Sequence, residues 1–233
     1  MSTESVVVAG VGPGLGFHIA LRFADIGLKV AMLARNEAKL RTLAGNRADL
    51  IPYPCDLTQP EAVTTAFERV EAELGPIACA VFNAGAYRPG GLLEIAPQDF
   101  EQCWRVGAFA GFLVVQQAAK LMVPRAHGTI LITGATASVR GGARFANLAA
   151  PKFALRAIAQ SAARELGPKG IHVAHIIIDG QVRGPRYDSP VADRGPDAML
   201  EPARVAEVYA HLHAQPRSAW TQELDLRPWS EKF

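Results

Sequence analysis

The stretch Val6-Val7-Val8-Ala9-Gly10-Val11-Gly12-Pro13-Gly14-Leu15-Gly16 decides the fold of this 233-residue chain. Three β-branched residues in succession predict a buried strand, and Leu15, Ile19 and Phe23 begin an apolar pattern with helical spacing. The glycines between them allow a tight turn and a close approach of backbone to phosphate. Although glycine-rich turns can serve geometry alone, the order of strand, glycine turn and helix favours a dinucleotide-binding unit, with phosphates at the helix N-terminus.

The composition excludes several classes of protein. Hydrophobic residues make up 49% and charged residues 20% of the chain, as in ordinary globular proteins. The net charge of +2 gives no electrostatic reason to expect nucleic acid or a membrane surface as a partner. Three cysteines without a CxxC pair predict reduced thiols and a cytoplasmic protein. Residues 1–5 have no basic start, and we expect no apolar run near the ~20 residues of a membrane span.

The rest of the chain alternates predicted strands and helices. The predicted strands after the first are 28–33, 50–54, 77–82, 128–133, 171–178 and 219–226. The predicted helices after the first run from a cap at Asn36 to about 44, from Pro60 in a first turn, over 97–122, over 147–166 and over 202–213. This alternation predicts a single α/β domain over 1–233, a doubly wound Rossmann fold whose parallel sheet of about seven strands carries helices on both faces.

Two further segments bear on function. The helix predicted at 97–122 is apolar nearly all round in its middle, which predicts burial partly by another subunit. Residues 181–200 are rich in glycine and proline and predict a flap over a substrate pocket. The six histidines form no metal-binding set, because neither His172 and His175 nor His211 and His213 have the spacing of a metal clamp.

On these motifs the chain resembles the short-chain dehydrogenases/reductases over essentially its full length. The residues that carry the resemblance are 10–16, Asp56, Asn83-Ala84-Gly85, Lys152 and Gly180. It implies an oxidoreductase that uses NADP(H), or alternatively NAD(H), on an unknown small-molecule carbonyl or alcohol. It also implies a homodimer or homotetramer that pairs through the two long helices.

The resemblance assigns cofactor contacts to individual residues. The implied set is Gly10, Gly12, Gly14, Leu15 and Gly16 at the pyrophosphate, Asp56 and Leu57 at the adenine, Asn83, Ala84 and Gly85 at the adenine ribose, Lys152 at the nicotinamide ribose, and Gly180 and Val182 after the sixth strand. Arg35 follows the second strand, where a guanidinium would match the 2′-phosphate of NADP(H), and Ala34 stands where an acid would favour NAD(H). Alternatively, Arg35 is only a solvated loop residue.

The chain departs from the family at the positions of proton transfer. The family's tyrosine, four positions before the lysine, falls on Leu148, its serine on Ala135 and its asparagine on Ala108. The resemblance therefore implies a divergent member with non-standard proton transfer, or a non-catalytic NADP(H)-binding sensor or partner subunit. The replacement donors left open are Tyr87, Thr133, Thr136, Ser138, Asn147, Asp179, Tyr187 and Lys152 itself, whose burial would lower its pKa.

Overall fold

The computed structural model describes residues 4–184, 195 and 197–231 of the chain. The strands are β1 (Ser5–Ala9), β2 (Lys29–Ala34), β3 (Leu50–Pro54), β4 (Ile77–Phe82), β5 (Gly128–Thr133), β6 (Ile171–Ile178) and β7 (Glu223–Leu226). The helices are α1 (Leu15–Asp25), α2 (Glu37–Ala44), α3 (Pro60–Leu74), α4 (Pro97–Trp104), α5 (Ala110–Met122), α6 (Ala146–Leu166) and α7 (Pro202–His213).

The strands form one seven-stranded parallel sheet in the order β3-β2-β1-β4-β5-β6-β7. The chain begins in the middle of the sheet, moves out to β3, and then crosses back over β1 to β4. This crossing leaves Ala9 paired with Leu33 of β2 on one side and with Phe82 of β4 on the other. The predicted doubly wound Rossmann fold is confirmed, and its chain reversal opens a crevice at the carboxyl ends of β1 and β4.

Alternation of side chains along β1 divides the core into two layers. Val7 and Ala9 belong to the cluster that α3, α5 and α6 cover, while Val6 and Val8 belong to the cluster beneath α1 and α7. All four side chains are fully buried. The run of valines is therefore explained by a strand that is covered on both faces.

Two predicted helix starts are confirmed. The Asn36 side chain accepts a hydrogen bond from the Lys39 backbone N–H at 2.9 Å, which satisfies one unpaired donor at the start of α2. Pro60 occupies the first turn of α3, where its missing N–H leaves no hydrogen bond unmade.

The helix predicted at 97–122 is interrupted, which the sequence pattern did not indicate. A π-helical turn, Arg105–Phe109, separates α4 from α5. Within it the backbone of Gly107 packs against α6, since a Cβ at this position would lie 2.9 Å from the Pro151 Cβ. Such turns widen the helix locally and often occur at functional sites.

One helical stretch passes a test of length and composition for a membrane span. Within the described residues, the stretch Pro97–Arg125 is long enough to span a membrane, and an 18-residue window inside it has a mean hydropathy of 1.5. Half of that window is buried within the protein, where α5 packs on β4, α3 and α6. Packing between a sheet and two helices gives a physical reason for the apolar composition.

The strand predicted at 219–226 is shorter than expected. A single 3₁₀ turn occupies Arg217–Ala219, and β7 begins only at Glu223. Most of the predicted flap at 181–200 lies outside the described residues. Its two ends are joined, because the Leu200 N–H donates to the Gln181 carbonyl and the Arg183 N–H donates to the Leu200 carbonyl, each at 2.9 Å.

We predict that Gly10→Ala destabilises the fold, whereas Gly12→Ala does not. Gly10 has a φ of +99°, and a Cβ there would lie 2.4 Å from the Ala84 backbone nitrogen. Gly12 has no described atom within 4 Å of its Cβ position and no strained φ. Overpacking costs ~1–3 kcal/mol, so in a domain of this size Gly10→Ala should lower Tm by about 2–12 °C in a thermal melt. Equal melting temperatures for the two variants would contradict this packing.

Candidate cofactor site and active site

Hydrogen bonds and close backbone packing join the glycine turn after β1 to the loop after β4. The Asn83 Nδ2 donates a hydrogen bond to the Gly10 carbonyl at 3.0 Å, and the Asn83 N–H donates to the Ala9 carbonyl at 2.8 Å. A Cβ on Gly16 would lie 2.6 Å from the Gly10 carbonyl oxygen. Glycine at positions 10 and 16 is therefore required by packing within the protein, before any ligand is considered.

The outer glycines of the same turn leave open space. Neither Gly12 nor Gly14 has a described atom within 4 Å of its Cβ position. Gly14 caps α1 without a side-chain hydrogen bond, and the first turn of α1 carries no acidic residue. No side chain caps or neutralises the positive N-terminal end of this helix, so an anionic group can approach it. These features fit the pyrophosphate of a nucleotide cofactor.

A cleft of about 290 Å³ opens beside this turn. Its walls include most of the residues predicted to contact the adenosine half of a cofactor, namely Gly10, Gly12, Arg35, Asp56, Leu57, Asn83, Ala84 and Gly85. Sequence reasoning missed four other lining residues, Val11, Cys55, Thr58 and Val106. Val11, Cys55 and Thr58 are adjacent in sequence to residues that were predicted to contact the cofactor. Val106 lies on the π-helical turn, which no sequence signal indicated. Gly14, Leu15 and Gly16 lie at the start of α1 and do not line the cleft.

Asp56 is held by the turn that opens α3. One of its carboxylate oxygens accepts hydrogen bonds from the Thr58 N–H at 3.0 Å and from the Thr58 hydroxyl at 2.8 Å. The thiol of the adjacent Cys55 is buried, and this burial together with the negative charge of Asp56 raises its pKa to about 11. Cys55 is therefore a protonated, unreactive wall residue rather than a nucleophile.

Lys152 lies buried on α6 at the carboxyl end of β5. Its ammonium donates a hydrogen bond to the Thr133 carbonyl at 2.7 Å, and Thr133 is the last residue of that strand. Burial lowers the pKa of Lys152 to about 8. Leu148 precedes it by one helical turn and is partly buried. Ala135 follows the end of β5, and Ala108 is buried in the π-helical turn.

A partly buried cluster of polar side chains extends from this region to β7. The His175 Nδ1 lies 3.0 Å from a Glu223 carboxylate oxygen, and Arg156 donates two hydrogen bonds to the same carboxylate at 2.6 and 2.7 Å. Burial is the main cause that lowers the pKa of His175, so the ring is neutral at pH 7. The His175 Nε2 has no hydrogen-bond partner among the described residues and lies 2.4 Å from where a Gly134 Cβ would be.

Asp179 connects the ends of three strands. This buried carboxylate accepts a hydrogen bond from the Thr136 hydroxyl, which follows β5, and forms an ion pair with Arg227 at 3.1 Å, which follows β7. Arg140 lies 4.0 Å away and is half exposed. The carboxylate thus holds together the loops around the carboxyl end of β6.

The other predicted proton donors that the structure describes make contacts within the protein. The Tyr87 hydroxyl donates to the Arg144 carbonyl at 3.2 Å, and its ring stacks on Phe145 with centroids 5.0 Å apart. Further such contacts are Thr133 Oγ1 with the Tyr209 hydroxyl at 2.7 Å, the Ala135 N–H to Ser138 Oγ at 3.0 Å, and Asn147 Nδ2 to the Arg88 carbonyl at 2.7 Å. Tyr187 lies outside the described residues.

Gly180 and Val182 do not line the cleft beside the glycine turn. Gly180 has a φ of +143°, and a Cβ there would lie 2.7 Å from the Pro228 Cδ. Val182 pairs with Leu200 in an isolated bridge. In the described part of the chain, His, Cys, Asp and Glu side chains form no group of three or more that could hold a metal ion.

The chain belongs to the short-chain dehydrogenase family. The model of that family, described as short chain dehydrogenase, matches residues 4–183. A curated relative, the 3-oxoacyl-[acyl-carrier-protein] reductase MabA of Mycobacterium avium, is 32% identical over 180 residues, which are 77% of this chain and 68% of that protein.

Two solved structures share the whole fold. A short-chain dehydrogenase from Rhodopseudomonas palustris has 37% identity and a TM-score of 0.85, covering 98% of this chain and 100% of that one. A metagenomic short-chain oxidoreductase in complex with NADP has 26% identity and a TM-score of 0.84, covering 98% of each chain. The sequence-based assignment of the family is confirmed.

Proposed function

We propose that this chain is an NADP(H)-dependent oxidoreductase that acts on a carbonyl or alcohol and transfers its proton without the family's tyrosine and serine. A bound nicotinamide cofactor supplies or accepts the hydride. The observation that carries the cofactor assignment is the cleft lined jointly by the glycine turn, Arg35, Asp56 and the loop after β4. The metagenomic relative in complex with NADP has the same fold.

The residues at the two ends of this site have different proposed roles. At the adenosine end, Gly12 and Gly14 leave room for the pyrophosphate, and Arg35 binds the 2′-phosphate. At the other end Lys152 binds the nicotinamide ribose, with Gly180 and Val182 near the nicotinamide. The segment 181–200 shapes the substrate pocket, and its two described ends are already held together by backbone hydrogen bonds.

A second candidate function is NADP(H) binding without turnover, in a sensor or a partner subunit. The observation that favours it is the apolar set Leu148, Ala135 and Ala108 at the positions where the family carries its proton-transfer groups. None of these side chains can donate or accept a proton. The retained, buried Lys152 favours the oxidoreductase instead, and turnover of a carbonyl by the unmodified protein decides between the two.

We predict that the protein binds NADPH more tightly than NADH and that Arg35→Ala removes most of this preference. A charge-assisted hydrogen bond contributes ~1.5–3 kcal/mol, so NADPH affinity should fall about 10- to 100-fold while NADH affinity changes little. Calorimetric titration of both cofactors measures this. Arg164→Ala, which removes an exposed guanidinium from α6, is the matched control. Equal affinities of the unmodified protein for the two cofactors would contradict the role of Arg35.

We also propose a homodimer or homotetramer that pairs through α5 and α6. Phe112 on α5 and Phe153 on α6 are 41% and 44% exposed, although large aromatic side chains gain most from burial. An apolar groove of about 440 Å³ lies between the two helices. The three cysteines are buried and unpaired, and cytoplasmic localisation stays a prediction from that pattern.

Light scattering at micromolar concentration should give the mass of a dimer or tetramer. Replacing both Phe112 and Phe153 by Glu should give a monomer, because two desolvated carboxylates cannot be accommodated in an apolar interface. The control is Phe100→Glu on α4, which is also partly exposed and lies on neither helix. A monomeric mass for the unmodified protein would refute the assembly.

A further inference from the structure

We propose that Lys152 itself donates the proton to the substrate oxygen during carbonyl reduction. This inference rests on the proposed oxidoreductase function and names the group that would replace the missing phenol. It differs from a role in ribose binding alone, because a residue that only holds the ribose need not change its protonation state.

The position of the Lys152 ammonium group and its free hydrogen-bond donors are the first support for a role in proton donation. One of its three N–H bonds is donated to the Thr133 carbonyl, and in the described part of the chain the ammonium forms no other hydrogen bond. Two donors therefore remain for a cofactor hydroxyl and a substrate oxygen. Leu148, one turn earlier on the same helix, has no polar atom that could compete for that oxygen.

The second support is elimination of the neighbouring hydroxyls and acids among the residues that the structure describes, which do not include Tyr187. The Tyr87 hydroxyl is engaged by the Arg144 carbonyl, and its ring is fixed by stacking on Phe145. Asp179 is held between Thr136 and Arg227. Of the remaining candidates, Thr133 and Asn147 are buried and hydrogen-bonded within the protein, and Ser138 is fully buried with its hydroxyl oxygen accepting from the Ala135 N–H.

The third support is the electrostatic environment of the ammonium. Its hydrogen-bond partner is an uncharged carbonyl, and burial lowers the pKa of Lys152 to about 8, close to working pH. The ionisable groups on the surrounding elements include Arg156 on α6, His175 and Asp179 on β6 and at its end, Glu223 on β7, Arg140 before α6, Arg105 on the π-helical turn and Tyr209 on α7. His175 is neutral at pH 7, while Arg156 with Glu223 and Arg227 with Asp179 are ion pairs.

In the proposed step, proton transfer from Lys152 accompanies hydride addition to the substrate. Hydride adds to the carbonyl carbon of the substrate, and the π electrons of the carbonyl move to its oxygen. That oxygen takes one proton from the Lys152 ammonium, whose N–H bond breaks and leaves a neutral amine. The amine then regains a proton from water. In the oxidative direction the neutral amine accepts the hydroxyl proton of an alcohol.

The pH dependence has a definite sign. Reduction needs the protonated lysine, so kcat with saturating NADPH and a reactive diketone or quinone should be constant below pH 8 and fall as pH rises through about 8. Oxidation of the corresponding alcohol needs the neutral lysine, so its rate should rise over the same range. A reduction rate that is flat from pH 6 to pH 9.5 would overturn the proposal.

Lys152→Arg separates proton donation from cofactor binding. A guanidinium keeps its charge and its hydrogen-bond donors but does not release a proton at these pH values. We expect kcat to fall at least ~10²-fold while the Kd for NADPH changes less than about threefold, whereas Lys152→Met should weaken both. Full turnover by Lys152→Arg would overturn the role of Lys152 and leave the proposed function intact.

A direct titration covers the case in which the arginine variant fails to fold. In protein labelled with ¹³C at the lysine ε-carbons, one resonance should titrate with a midpoint near 8, and the same resonance should be missing from Lys152→Met. A midpoint at the ordinary lysine value, in the free and NADPH-bound protein alike, would overturn the proposal. If the unmodified protein binds NADPH but reduces no carbonyl, the oxidoreductase function fails and this role fails with it.

Discussion

The backbone contact between the glycine turn and the loop after β4 is the constraint on which the site depends. Gly10 lies so close to Ala84 that no Cβ can be accommodated, and the Asn83 side chain joins the two loops by a hydrogen bond to the Gly10 carbonyl. This contact fixes the crevice where the order of the strands reverses. The accessible glycines, Gly12 and Gly14, and the bare end of α1 then face open space.

Much of the fold could be predicted because its signals are local. A run of valines, alternating segments and helix caps such as Asn36 determine strand, helix and parallel sheet without knowledge of distant contacts. The π-helical turn could not be predicted in this way, since it accompanies the packing of Gly107 against Pro151 on another helix. Val106 became part of the cleft through the same turn.

The site was predictable to a different extent at its two ends. At the cleft beside the glycine turn, residues close in sequence to strand ends come together at one edge of the sheet, so motif positions were enough to predict that they lie together. On the Lys152 side, the properties of the group depend on burial and on neighbours from β5, β6 and β7. The unpartnered nitrogen of His175 against Gly134, and the Asp179 contact with Thr136 and Arg227, follow only from three-dimensional packing.

The central claim is that one continuous site runs from Arg35, past the glycine turn, to Lys152. A crystal structure of the protein with NADP⁺ tests this most directly. The account predicts the 2′-phosphate at the Arg35 guanidinium, the pyrophosphate against Gly12 and Gly14, and a nicotinamide-ribose hydroxyl within hydrogen-bond distance of the Lys152 Nζ. A cofactor bound elsewhere, or one whose nicotinamide ribose lies out of reach of Lys152, would contradict it.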